Sequence, residues 1–266
     1  MELADRVFVV TGAGNGIGRD VVLGLLERGA RVAAVDNSEA GLSATGILAG
    51  PASGLSVHHL DVSDRAAVLA LPEAVIRAHG QVDGLLNVAG IIQPFVQIDK
   101  LDFADIEHVM NVNFWGVVNT TKAFLPHLLA RPAASILNVS SMAGFLPVSG
   151  QGAYGASKAA VKLFTEALYA ETLGTTLAVT VVFPGAVGTG IAANSGVHVP
   201  QLKDPSATLP KMTSPAEAGR QVIEALRKGK YRVRIGSDVT FMDRFSRLAP
   251  QRAAAFLAKH MKSLFG

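Results

Sequence analysis

The chain has 266 residues and a formal net charge of +3, with 49% hydrophobic against 17% charged residues. That balance supplies a large core and excludes a disordered chain, and basic residues spread through the sequence are a poor match to nucleic acid. Cysteine is absent, which excludes disulfides, thiolate metal ligands and a cysteine nucleophile and fits a reducing, cytoplasmic setting.

The opening MELADRVFVVTG carries Glu2 and Asp5 and lacks the basic and long apolar regions of a signal peptide. No run approaches the ~18 apolar residues of a membrane span. Apolar, β-branched runs then alternate with longer helical patterns. The runs fall at 6–11 (RVFVVT), 31–36 (RVAAVD), 55–61 (LSVHHLD), 82–87 (VDGLLN), 135–140 (SILNVS), 177–184 (LAVTVVFP) and 231–236 (YRVRIG). Most are apolar almost throughout, as strands covered on both faces must be. Helices are predicted between them, for example at 17–28, 64–79, 103–130, 152–173 and 216–228. This alternation predicts a Rossmann-type, doubly wound α/β fold with a parallel sheet of about seven strands and helices on both faces. Residues 188–213, with Pro200, Pro205 and Pro210, are too long for an ordinary connection and read as a functional lid within one domain spanning 1–266.

Two features near the amino terminus point to a dinucleotide. Gly12, Gly14, Gly16 and Gly18 lie between the first strand and the first helix, in the order T-G-x-x-x-G-I-G from Thr11. Glycines there permit a tight turn and let a pyrophosphate approach main-chain N–H groups at the positive end of the helix. Asp36 ends the second strand, where a carboxylate accepts from the ribose hydroxyls of an adenosine and repels a 2′-phosphate. Asn15 and Asn37 stand where a basic residue would neutralise that phosphate, so NAD is favoured over NADP, with Arg19 and Arg31 the nearby cations.

Farther along, Tyr154 and Lys158 stand four apart in a predicted helix, on one face and one turn from each other. An ammonium beside a phenol stabilises the phenolate and lowers its pKa, which lets the phenol exchange a proton with an alcohol or ketone oxygen.

Taken together, T-G-x-x-x-G-I-G, Asn87-Val88-Ala89-Gly90, Asn113 with Gly116, Ser141 before Tyr154-x-x-x-Lys158, and Pro184-Gly185 resemble the short-chain dehydrogenase/reductase family. The motifs follow family order from about Asp5 to Gly236. The resemblance implies that Tyr154 is the general acid/base. It implies that Lys158 binds the nicotinamide ribose and depresses the tyrosine pKa, that Ser141 hydrogen-bonds the substrate oxygen, and that Asn113 holds a relay water. Ser140 competes with Ser141, and the spacing to Tyr154 favours Ser141. For the cofactor, the resemblance implies contacts from Gly12, Asn15, Gly16 and Ile17 to the pyrophosphate, from Asp36 to the ribose, and from Asp61 and Val62 to the adenine. Asn87, Ala89 and Gly90 would line the adenosine ribose through backbone groups, and Pro184, Gly185, Val187 and Thr189 the nicotinamide. Val88 departs from the usual N-N-A-G.

The function expected is hydride transfer between NAD and a secondary alcohol or ketone, with a catalytically silent NADH sensor as the alternative. Phe145, Leu146, Val148, Ile91, Ile92, Phe95 and Ile191 are candidate walls of an apolar substrate pocket, each equally a candidate for the core. Gln151 is either a polar substrate contact or a plain helix-start residue. The scattered histidines argue against a metal site. The helical tail at 239–266 alternates basic and apolar residues. Packing on the same domain or on another subunit is favoured for it over peripheral membrane attachment. The resemblance also implies a homodimer or homotetramer formed through the two long helices.

Overall fold

The computed structural model of the chain describes residues 1–51, 54–198 and 212–265, without the side chains of 237 and 260–265. Seven strands form one parallel sheet: β1 (Val7–Thr11), β2 (Arg31–Asp36), β3 (Leu55–His59), β4 (Gly84–Asn87), β5 (Ala134–Val139), β6 (Leu177–Pro184) and β7 (Arg232–Ile235). Their spatial order is β3-β2-β1-β4-β5-β6-β7. The connection reverses direction between β1 and β4, so a crevice opens beyond their carboxyl ends, where doubly wound sheets bind ligands. The fold is the Rossmann-like arrangement expected from the alternation.

Successive strand residues point to opposite faces, and each face carries its own core. Phe8 and Val10 of β1 pack with Val32, Leu86, Leu137 and Val182 beneath two helices, α1 (Gly16–Leu26) and α8 (Pro215–Lys228). Val7 and Val9 face the other way, toward α3 (Arg65–His79), α5 (Gly116–Leu129) and α6 (Gly152–Glu171). Close packing needs glycine at selected points. A Cβ on Gly84 would lie 2.5 Å from the Phe8 ring, and one on Gly24 of α1 would lie 2.6 Å from Ile223 of α8. Helix α8 has complete end signals: Ser214 caps it by accepting from the Glu217 N–H, Pro215 opens it, and Gly229 ends it at φ 59°.

Two segments differ from expectation. The helix foreseen at 103–130 is broken into α4 (Phe103–Met110), a π-turn at Asn111–Trp115, and α5. The wider turn takes an extra residue and buries Asn113 completely. A helix α2 (Glu39–Ala49) joins β2 to β3, although Gly41, Ser43, Thr45 and Gly46 are weak helix formers. Tertiary hydrogen bonds support it: Ser38 caps it, and the Thr45 hydroxyl donates to the Ala13 carbonyl at 2.9 Å.

Of the expected lid, residues 199–211 lie outside the described residues. The rest holds a short helix, α7 (Ile191–Asn194), and a bridge from Val187 to Thr213. The tail forms α9 (Ser237–Leu248) and α10 (Pro250–Phe265). Ala253 and Leu257 of α10 bury Leu146, with Met142, Phe145 and Val148 packed around them. Leu146 is therefore a core residue, and Phe145 and Val148 are partly buried against it. Among the described residues no helix is long and apolar enough to cross a membrane.

At the amino ends of the central strands, opposite the crevice, the fully buried Asp83 accepts from Arg131 at 2.9 Å, Arg6 at 3.1 Å and the Val7 N–H at 2.9 Å. Burial alone would raise its pKa, but the Val7 N–H and the two guanidiniums outweigh that and hold it below the ordinary 3.8. Its stabilisation is therefore complete above about pH 4 and is lost as the pH falls through the lower folded value. Asp83→Ala should cost on the order of 2–4 kcal/mol in urea denaturation at pH 7, because it strands two half-buried cations. The deficit relative to wild type should shrink below pH 4; a variant as stable as wild type at pH 7 would dismiss the network.

Candidate active site

A cleft of about 330 Å³ opens at the carboxyl ends of β1, β4, β5 and β6. Its floor at one end is the loop after β1. Gly12 takes φ 69° and Gly16 φ 49°, values that β-carbon-bearing residues rarely adopt. Asn15 precedes α1 without a side-chain cap bond, so its side chain leaves the first-turn N–H groups to other partners. Arg19 donates to the Gly14 carbonyl and to the Thr45 hydroxyl, bracing the loop.

Asp36 meets this loop. Its carboxylate accepts from the Gly14 N–H and the Ser38 N–H, each at 2.8 Å, one on each oxygen. A Cβ on Gly14 would lie 2.9 Å from that carboxyl carbon. Each oxygen retains a lone pair for a hydroxyl donor. Asp61 and Val62 line the same end, with His108 and Val112 from α4 and the π-turn. Val62 is seated by Gly116, whose Cβ would come 2.7 Å from it. Ala89 and Gly90 line the middle, and the Thr11 hydroxyl accepts from the Val88 and Ala89 N–H groups.

The other end holds Ser141, Tyr154 and Lys158, with Pro184, Gly185, Val187 and Thr189 opposite. Thr189 lies against Gly16, 3.2 Å from where its Cβ would be, so the segment after β6 closes over the glycine loop. Tyr154 and Lys158 stand one turn apart on α6, with the ammonium 5.9 Å from the phenol ring centre. The Lys158 Nζ is buried and donates to the Val139 carbonyl at 3.1 Å, which leaves two N–H protons directed elsewhere. The Ser141 hydroxyl accepts from the Ala143 N–H at 3.1 Å and lies beside the Tyr154 phenol. Ser140 instead donates to the Lys158 backbone carbonyl at 2.7 Å.

The electrostatics correct one expectation. Burial lifts the Tyr154 phenol above its ordinary value of 10.0, and the neighbouring Ser141 hydroxyl only opposes that rise. Burial also lowers the Lys158 ammonium to about 8. For Tyr154 desolvation outweighs the neighbouring Ser141, and for Lys158 desolvation is the cause.

Two expected site residues stand behind the cleft wall. Asn87 is buried, donating to Asn138 at 2.8 Å and accepting from Thr120 at 2.8 Å. The Asn113 side chain accepts from the Ile91 N–H at 2.9 Å and donates to the Ile91 carbonyl and to Ser157. It clamps the loop after Gly90 onto α6.

Gln93 was not singled out by the sequence. Its side-chain carbonyl accepts from the Tyr154 N–H at 3.0 Å, and its backbone carbonyl accepts from Gln151 at 2.8 Å. A residue 61 positions away thus caps the first turn of α6. Gln151 is buried in this contact rather than presented to the cleft. Nothing local in the sequence signals such a pairing. Gln93→Ala should lower stability by about 1–2 kcal/mol and speed amide exchange at Tyr154. Unaltered exchange there would mean that another acceptor holds this N–H.

The glycine cradle, the two-oxygen acceptor at Asp36 and the buried ammonium at Lys158 fit a nucleotide cofactor laid along the cleft. Among the described residues no cluster of three or more His, Asp or Glu could hold a metal ion. A family model described as short chain dehydrogenase matches residues 6–199. The oxidoreductase SadH of Mycobacterium tuberculosis is 41% identical over 251 residues, 91% of this chain and 90% of that protein. Among solved structures, a short-chain dehydrogenase/reductase from Burkholderia phymatum in complex with NAD has a TM-score of 0.81 at 26% identity, covering 93% of this chain and 96% of that one. One from Burkholderia cenocepacia in complex with NADP has a TM-score of 0.80 at 26% identity, covering 97% and 99%. The sequence motifs, the sheet order and the cleft agree with these likenesses: the chain is an oxidoreductase of the short-chain dehydrogenase/reductase family.

Proposed function

We propose that the chain is an NAD-dependent alcohol dehydrogenase or carbonyl reductase acting on an apolar secondary alcohol or ketone. One observation carries the reading: Ser141, Tyr154 and Lys158 share one end of a cleft whose other end is the Asp36 carboxylate. Bound nicotinamide supplies the hydride chemistry. The residues supply binding and the proton. Ser141 is in place to donate to a substrate oxygen beside the phenol. Tyr154 gives its proton to that oxygen in reduction and takes one in oxidation. A phenol held above its ordinary pKa is protonated at neutral pH, which suits donation to a ketone, and oxidation gains as the pH rises. Lys158, still largely charged at pH 7, holds ribose hydroxyls with its two remaining N–H protons.

The preference for NAD follows from the occupied cations. Arg19 is committed to the Gly14 carbonyl and Thr45, and Arg31 to the His79 and Asp5 carbonyls. Neither pairs with the Asp36 carboxylate among the described residues, so a 2′-phosphate would meet that carboxylate without a cation already bound to it. Ile91 and Ile191 give the substrate end its apolar character. The exposed Phe103, Trp115 and Leu163 on α4, the π-turn and α6 support assembly into a homodimer or homotetramer. The absence of cysteine supports a cytoplasmic setting.

A screen of NADH formation against cyclic, acyclic, steroid and terpenoid alcohols tests the activity. Tyr154→Phe should lose turnover by about two or more orders of magnitude while binding NADH within about threefold of wild type; unchanged turnover defeats the assignment. Asp36→Ala should shift the ratio of NADPH to NADH affinity upward by about tenfold or more. If wild type already binds NADPH more tightly than NADH, the cofactor reading is wrong.

A further inference from the structure

The last two helices present an outward face rich in exposed apolar and basic side chains. On α9, Phe241 is 60% and Leu248 87% exposed, and Arg244 lies between them at helical spacing. On α10, Arg252, Phe256 and Lys259 repeat the pattern at i, i+4 and i+7, all exposed. The inner faces are already used, with Ala253 and Leu257 against Leu146 and Val239 against Phe183. The two outer faces are continuous: the Phe241 and Phe245 rings stand 5.7 Å apart, and Phe245 and Phe256 6.2 Å apart, across the turn at Pro250.

The charge on this surface is predominantly positive, with the exposed Asp238 in the first turn of α9 as the acid beside it. After Asp243 the sequence holds Arg244, Arg247, Arg252, Lys259 and Lys262 and no Asp or Glu. Asp243 is buried and held by Arg232, Arg234 and Arg247. Arg244, Arg252 and Lys259 make no ion pair among the described residues. A symmetric contact with a second copy would set these cations against their own images, which disfavours self-association here. An anionic, deformable apolar surface meets both features at once: cations take the headgroups while aromatic and leucine side chains enter the acyl boundary.

We propose that α9 and α10 dock this protein peripherally on anionic lipid bilayers, through the face bearing Phe241, Leu248, Arg244 and Arg252. The sequence alone favoured packing of the tail on its own domain or on another subunit; within the described residues the chain covers only its inner half. The proposal is independent of the catalytic reading, since none of these residues lines the cleft.

The test is co-sedimentation of the full-length protein with sucrose-loaded vesicles. These are either phosphatidylcholine alone or phosphatidylcholine with roughly a third phosphatidylglycerol. Pelleting is expected with the anionic vesicles only, falling about tenfold or more in half-molar salt. It should be lost in Phe241→Ser/Leu248→Ser and in Arg244→Glu/Arg252→Glu, whose exposed positions leave the circular dichroism and melting temperature near wild type. Equal pelleting with both vesicle types, none with anionic vesicles, or folded variants that still pellet would each overturn the proposal. So would an oligomer that the same substitutions dissociate in light scattering without vesicle binding, because the face would then be a subunit interface.

Discussion

A buried ammonium organises one end of this molecule. Lys158 lies 3% exposed on α6 with the Val139 carbonyl as acceptor, and its fall from 10.5 to about 8 corresponds to on the order of 3 kcal/mol disfavouring the charged form. The unfolded chain binds more protons between those two values, so this residue makes stability rise with pH across that window. The neighbourhood is built to keep the group where it is. Ser140 holds the Lys158 carbonyl, and two loops close on it only because they carry glycine. A Cβ on Gly90 would lie 3.0 Å from Nζ, and one on Gly144 2.8 Å from the Lys158 carbonyl oxygen.

Behind the cleft, a chain of buried polar groups fixes the sheet to the helices that carry the chemistry. Thr120 on α5 donates to Asn87 on β4, Asn87 to Asn138 on β5, and Asn138 to Thr165 on α6, which returns its proton to the Val161 carbonyl. Each bond contributes about 1 kcal/mol, but leaving one member unpaired would cost about 1–3 kcal/mol. The network thus enforces one register between β4, β5, α5 and α6. Asn113 and Gln93 extend this control to the loop after Gly90, clamping it at Ser157 and at the Tyr154 N–H. Geometry at the phenol therefore depends on residues that never enter the cleft.

Much of this was legible from the chain alone. The five inner strands stood out because burial on both faces leaves nearly unbroken apolar runs such as VFVV and AVTVVF. The glycine loop was legible because a strand-to-helix turn around a phosphate demands residues without a Cβ, and Tyr154 and Lys158 because helix geometry converts a spacing of four into a shared face. The π-turn was not, since 103–130 keeps a helical pattern on both sides of it. Helix α2 was missed because its Gly, Ser and Thr content is offset by the distant contact of Thr45 with Ala13. The Phe145, Leu146 and Val148 segment stayed open between pocket wall and core because apolarity does not say which apolar partner arrives.

The sequence by itself determined the fold class, the family and the residue types that meet at the cleft, since these rest on local periodicity and on motifs with fixed spacing. Only the tertiary structure decided that Asn113 clamps a loop, that Gln93 caps the helix of Tyr154, that burial raises the phenol and lowers the ammonium, and that half of the tail faces outward. Each of those depends on which distant segment packs against a given side chain and how far it excludes water, and neither is encoded within a helical turn or a strand.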